Sequence, residues 1–197
     1  MKCKSIFCLC ILAIASFSSS AEVLKRRQTQ PELTCLNGPA KIKDESEFNL
    51  LFGDYTEEDG NLEIISRKPL KIHVYSEVFA NESTEVKDLL AKKALISNTY
   101  RAFAFSDADK VTVTSSVNEI SITNGVKNVT QLKSPIYTLS KTRDQALSDL
   151  RKFTSAKSFN DLFDKAQTCQ MSSVFKQFLY DDQGGVGISK FYKQVKK

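Results

Sequence analysis

A chain of 197 residues with 41% apolar side chains is long and apolar enough for one domain with a proper core. A formal charge of +5, spread over short clusters such as Lys25-Arg26-Arg27, Lys92-Lys93 and Lys196-Lys197, argues against a concentrated nucleic-acid-binding face. His73 is the only histidine, which removes most catalytic triads and zinc sites, because both need histidine with placed partners.

The chain opens on a basic stretch (Lys2, Lys4), an apolar run over residues 6–17 and the small residues Ser19-Ser20-Ala21. That order predicts a secretory signal peptide over 1–21, cleaved after Ala21. The run is shorter than the roughly 20 apolar residues that span a bilayer. Cys8 and Cys10 follow Phe7 and Leu9, where lipid attachment would want a small residue. The expected product is secreted or periplasmic, with no stable membrane insertion. Cleavage removes Lys2 and Lys4, leaving 26 basic residues against 23 acidic ones and a charge of about +3.

Cys3, Cys8 and Cys10 leave with the leader, so Cys35 and Cys169 remain, 134 positions apart. An even pair in an oxidising compartment predicts one disulfide bond. Residues 22–43 read as a polar leader, partly flexible, and 44–197 as a single α+β domain.

Within that domain, Asp44 begins an acidic first turn leading into Phe48, Leu51 and Phe52, and Gly53 supplies a stop, which predicts a short helix. Leu62, Ile64 and Ile65 predict a short strand. Residues 70–78 alternate, with Leu70, Ile72, Val74 and Val78 against Lys71, His73, Tyr75 and Glu77, as a half-buried strand does. Ser83 or Thr84 then caps a long amphipathic helix running from Val86 to Phe103 or Ala104. Strand pattern resumes at Val111, Val113 and Val117 and continues through 119–123 into Asn124-Gly125, a two-residue hairpin signal. Residues 126–139 read as extended, with Pro135 confined to an edge or a strand start. From Thr142 onward the pattern is helical, with caps at Thr142, Ser158 and Ser172 or Ser173, and Gly184, Gly185 and Gly187 before a last turn. The expected fold is α+β: a small antiparallel sheet packed by one long helix, with a helical C-terminal tail.

The chemistry on offer is thin. No catalytic residue, metal ligand set or cofactor site is assigned. QGGVG lacks the preceding strand and following GK[ST] of a phosphate loop. Asn81 and Asn128 head two glycosylation sequons, usable only in a eukaryotic secretory route. An exposed loop of Tyr180, Asp181, Asp182, Gln183 and Gly184, beside Phe191 and Tyr192, offers an aromatic-rimmed contact patch of the kind protein partners use. The expected function is that of an exported, soluble, non-enzymatic binding protein whose partner is another protein, whether as inhibitor, immunity factor, envelope accessory or effector. The alternative is a small secreted hydrolase pairing Asp181 or Asp182 with Glu57, Glu58 or Asp59.

Overall fold

A computed structural model describes residues 35, 37–39, 41–42, 52–165 and 169–197. The expected signal peptide, most of the polar leader and the helix begun at Asp44 lie outside the described residues. Among the described residues, five strands and four α-helices follow in the order β1 (Leu62–Arg67), β2 (Leu70–Phe79), α1 (Thr84–Phe105), β3 (Lys110–Thr123), β4 (Val126–Gln131), β5 (Tyr137–Thr142), α2 (Arg143–Phe153), α3 (Ser173–Leu179) and α4 (Gly187–Val195). A 3₁₀ turn at Phe159–Leu162 precedes α3.

The fold is α+β, but the sheet is mixed rather than antiparallel. β1 pairs antiparallel with β2, whereas β2 and β3 run parallel from Leu70↔Val111 to Phe79↔Ile120. Parallel neighbours need a long crossover, and the 22 residues of α1 supply it. β3 is the longest strand, and its outer edge is shared. β5 pairs antiparallel with its first half (Lys110↔Thr142 to Ser115↔Tyr137) and β4 with its second (Asn118↔Gln131 to Thr123↔Val126). Ser116 and Val117 sit at the fork. Asn124 and Gly125 both take positive φ, 52° and 77°, as the tight turn joining β3 to β4 requires.

The expectation of one long helix over a sheet, followed by a helical tail, is also incomplete. α1 is a middle layer. Its capping serine, Ser83, accepts from the Val86 N–H, and its last three turns are buried on all sides but the stripe of Ser97 and Arg101, with Ala94, Leu95, Tyr100, Phe103 and Phe105 among the buried residues. One side meets β2, β3 and β5; the other meets the 3₁₀ turn, α3 and α4. The C-terminal helices therefore form a third layer. Thr142 caps α2 through a full capping box with Gln145. Cys35 and Cys169 lie at bonding distance, with Cα atoms 5.1 Å apart, and Cys35 is fully buried in the core.

The C-terminus of α1 shows how the layers are tied. Its final carbonyls lack intrahelical partners and carry the negative end of the helix dipole, yet its last turn has no basic residue. Cations arrive from elsewhere in the chain. Lys41 Nζ donates to the carbonyls of Phe103, Ala104 and Ser106 at 3.2, 2.8 and 3.1 Å. Arg143 donates through Nη1 to Phe103, Nη2 to Ser106 and Nε to Ala108 at 3.0, 2.6 and 3.2 Å. Its guanidinium also lies over the rings of Phe103 and Phe159. Arg143→Met is expected to cost about 2–3 kcal/mol, since charge-assisted bonds are the strong ones and three of them are lost together. Arg143→Lys should recover only part of this, having a point charge but no fork. Urea denaturation of the three proteins tests it; a loss under about 0.5 kcal/mol for Arg143→Met would mean the cap is idle.

Candidate functional site

Residues 70–79 bury Leu70, Ile72, Val74, Ser76 and Val78 against α1 and turn Lys71, His73, Tyr75, Glu77 and Phe79 to the opposite face. Strand partners share a face, so Thr112, Thr114, Ser116, Asn118 and Ile120 of β3 join them. This open face has a polar centre and an apolar end.

The polar centre is organised around His73. Its Nε2 lies 2.9 Å from Ser116 Oγ and its Nδ1 3.1 Å from the Tyr75 hydroxyl, which donates to Glu63 Oε2 at 3.2 Å. The His73 and Tyr75 rings stack with centroids 4.1 Å apart. Because Tyr75 gives its proton to Glu63, its oxygen accepts from Nδ1–H, and Nε2 then accepts from Ser116. That is the order of a nucleophile, a base and an orienting group. Ser116 is fully buried at the fork, however, so no substrate atom reaches its Oγ. The relay is a clasp joining β1, β2 and β3. Only the parallel register brings His73 and Ser116 together. With no local pattern linking residues 43 positions apart, the sequence gives no sign of Ser116.

Burial pushes the His73 pKa below its ordinary value, more than Glu63 raises it. The unfolded chain therefore takes up a proton near pH 6.5 that the folded chain refuses until lower pH. Stability is expected to fall as pH drops below about 6.5, within the window between the two pKa values. With a single histidine, His73→Gln should remove this slope. Thermal melts of both proteins from pH 7.5 to 5.5 test it, and equal slopes would clear His73 of the effect.

In the predicted contact patch the loop and its aromatic rim lie at different depths. Asp181, Asp182, Gln183 and Gly184 are exposed and Tyr180 half-buried, but Phe191 is fully buried and Tyr192 nearly so. Phe191 stacks on Phe178 at 4.5 Å, so it serves the core and cannot act as an exposed anchor. Tyr192 meets Tyr137 at 5.1 Å, with Lys92 over both rings and paired to Asp88. Tyr137 also donates to Asp88, and burial followed by that carboxylate pushes its pKa up to about 12. The glycines of the loop have packing reasons. A Cβ on Gly185 would strike the Gln177 carbonyl, and one on Gly187 the Asp181 carboxylate.

The candidate hydrolase carboxylates do not share an element. Glu57, Glu58 and Asp59 sit in the turn before β1, and Asp181 and Asp182 lie between α3 and α4, all exposed. A cleft of about 590 Å³ opens beside the end of α1, over Ile42, Pro69, Leu70 and Ala108, and none of these five carboxylates lines it. Among the described residues no group of three or more His, Cys, Asp or Glu side chains could hold a metal ion, and no helix is long and apolar enough to cross a membrane.

The apolar end lies past Glu77 and Asn118. Beyond residue 75 the outer edge of β2 has no partner strand among the described residues, because β1 stops at Leu62↔Val74. Among the described residues β4 pairs only with β3, and all six residues of β4 are exposed. Among the described residues both outer edges of these three strands are therefore free at this end. Across their open face runs a cross-strand row, Phe79↔Ile120↔Val129, with Ile122 beside it. Phe79 is 52% exposed, Ile122 65% and Val129 50%, and Val126 at 60% lies on the opposite face of β4. Lys127 pairs with Glu77 at 2.7 Å across this face, which leaves it electrically neutral. Asn128 is exposed on β4 and Asn81 in the turn before α1. No family model, curated protein or solved structure matches the chain.

Proposed function

We propose that this chain is an exported, non-enzymatic binding protein that docks a protein partner on the free end of its sheet. The observation that carries the reading is the row of exposed Phe79, half-buried Ile120 and exposed Val129, flanked by exposed Ile122, between two strand edges with no partner among the described residues. Single exposed apolar residues are ordinary, whereas a contiguous neutral set on an open face is the composition of an interface core. The basic, apolar and small-residue order of the first 21 positions supports export, as does the Cys35–Cys169 pair. The Ser116 hydroxyl that His73, the one histidine, engages is fully buried, which supports the non-enzymatic part.

The test is affinity capture from the native envelope or secreted fraction with the processed, disulfide-intact chain. The parent and an Ile122→Asp/Val129→Asp variant are compared side by side. One stoichiometric partner is expected for the parent, with at least a tenfold loss for the variant, the scale of removing an anchor worth about 1.4 kcal/mol or more. Equal capture by both proteins would place the partner elsewhere, and capture of nothing by the parent would sink the function.

A further inference from the structure

The edge of β4 has a definite register. In an antiparallel ladder, opposed residues alternate between hydrogen-bonded and non-bonded pairs. Leu132 N–H donates to the Val117 carbonyl directly opposite at 2.9 Å, which makes this a bonded pair. Two steps at a time, Glu119/Thr130, Ser121/Asn128 and Thr123/Val126 are bonded pairs as well. Lys127, Val129 and Gln131 therefore turn their N–H and C=O groups away from β3, toward the open edge.

We infer that this edge pairs with the same edge of a second copy of the chain, antiparallel, about a two-fold axis at Val129. In that register Val129 faces Val129 of the second copy, and Lys127 faces Gln131 of the second copy at both ends. Six backbone hydrogen bonds form, and no like charges stand opposite. Centring the axis on Lys127 would set two ammonium groups against each other, which disfavours that register. The contact is isologous and closes on itself, as a two-fold interface must.

A second observation points the same way. Directly paired residues share a face, so the row Phe79, Ile120 and Val129 meets Val129, Ile120 and Phe79 of the second copy. The apolar row, exposed at Phe79 and Val129 and half-buried at Ile120, becomes one continuous line of six residues across the joined sheet. Edge pairing leaves the face itself open, so a protein partner would find a surface twice as long. The inference stands on the β4 edge and does not need the docking function to be right.

Sedimentation equilibrium of the processed, disulfide-intact chain tests it, with Val129→Pro and Val129→Lys alongside. Proline is tolerated at an edge position whose N–H points outward, so β3–β4 pairing survives while the central intermolecular bonds are lost. Lysine instead places two cations at the axis. The parent is expected to dimerise in the micromolar to millimolar range, and each variant to weaken the dimer at least tenfold, with an unchanged circular dichroism spectrum. A parent that stays monomeric throughout, or a dimer that both variants retain undiminished, overturns the proposal. A monomer that still captures a partner would overturn the dimer alone; a dimer that captures nothing would overturn the docking function alone.

Discussion

Replacing Cys35 with alanine is expected to lower the stability of the oxidised protein by about 4–5 kcal/mol, and its melting temperature by about 10–20 °C. The bond joins residues separated by 134 positions, and loop-closure entropy removed from the unfolded chain grows with that span. Cys169 lies in a short connection pinned on both flanks: Asp164 N–H donates to Gln170 and Ser172 N–H to Leu162, both at 2.9 Å. The bridge therefore anchors the segment carrying Lys41 to the layer that holds α3 against α1. Cys35→Ala, Cys169→Ala and the double substitution should cost nearly the same, because each removes one shared bond. Cys35→Ser should cost somewhat more, since it leaves a hydroxyl in a fully buried position. Guanidinium denaturation with and without reductant separates these cases. A double variant costing twice either single one would show two independent roles and no bond, and a parent insensitive to reductant would show the bond is idle.

Local chemistry made much of this fold readable. The alternation of residues 70–78, the serine at position 83 and Asn124-Gly125 each act over a few residues, and β2, α1 and the β3–β4 turn form where those signals lie. Strand direction is not a local property, and there the antiparallel expectation failed. A signal was nevertheless present: two strand patterns joined by a 22-residue helix and short loops have the length of a parallel crossover. The burial of α1 was legible in the same indirect way. Ala91, Ala94, Ala102 and Ala104 alternate with Leu95, Tyr100, Phe103 and Phe105 around most of its circumference, with Lys93, Ser97 and Arg101 as a polar stripe, and a helix apolar on so many sides is an inner one. The candidate site was the least legible part. Phe191 and Tyr192 have the composition of interface anchors and of core alike, and the core claimed them. Phe79, Ile120 and Val129 become neighbours only through two strand registers, one parallel and one antiparallel. Lys41 and Arg143 cap a helix far from them in sequence, beyond the reach of any spacing rule.

The knot that the core made of those aromatics is where a single truncation should do most damage. Phe178 is fully buried, with its ring 4.5 Å from Phe191, 5.0 Å from Phe175 and 5.5 Å from Tyr100. One side chain thus ties α3 to both α4 and α1. With seven residues, α3 is too short to hold its own conformation in water, so packing is what keeps it helical. Phe178→Ala is expected to cost about 3–5 kcal/mol, the transfer energy of the ring plus the cavity that three aromatic neighbours on separate helices cannot close. Phe178→Leu retains most of the volume and should cost less than about 1.5 kcal/mol. Urea midpoints at constant m-value measure both. A loss below about 1.5 kcal/mol for the alanine variant would mean that the helical layer collapses freely around the gap and that the bridge at Cys169, rather than the aromatic knot, holds it on α1. The open sheet face lies on the far side of α1 from this knot. Below its lowered midpoint, Phe178→Ala should therefore capture a partner as the parent does, whereas Ile122→Asp/Val129→Asp should lose capture and keep its stability.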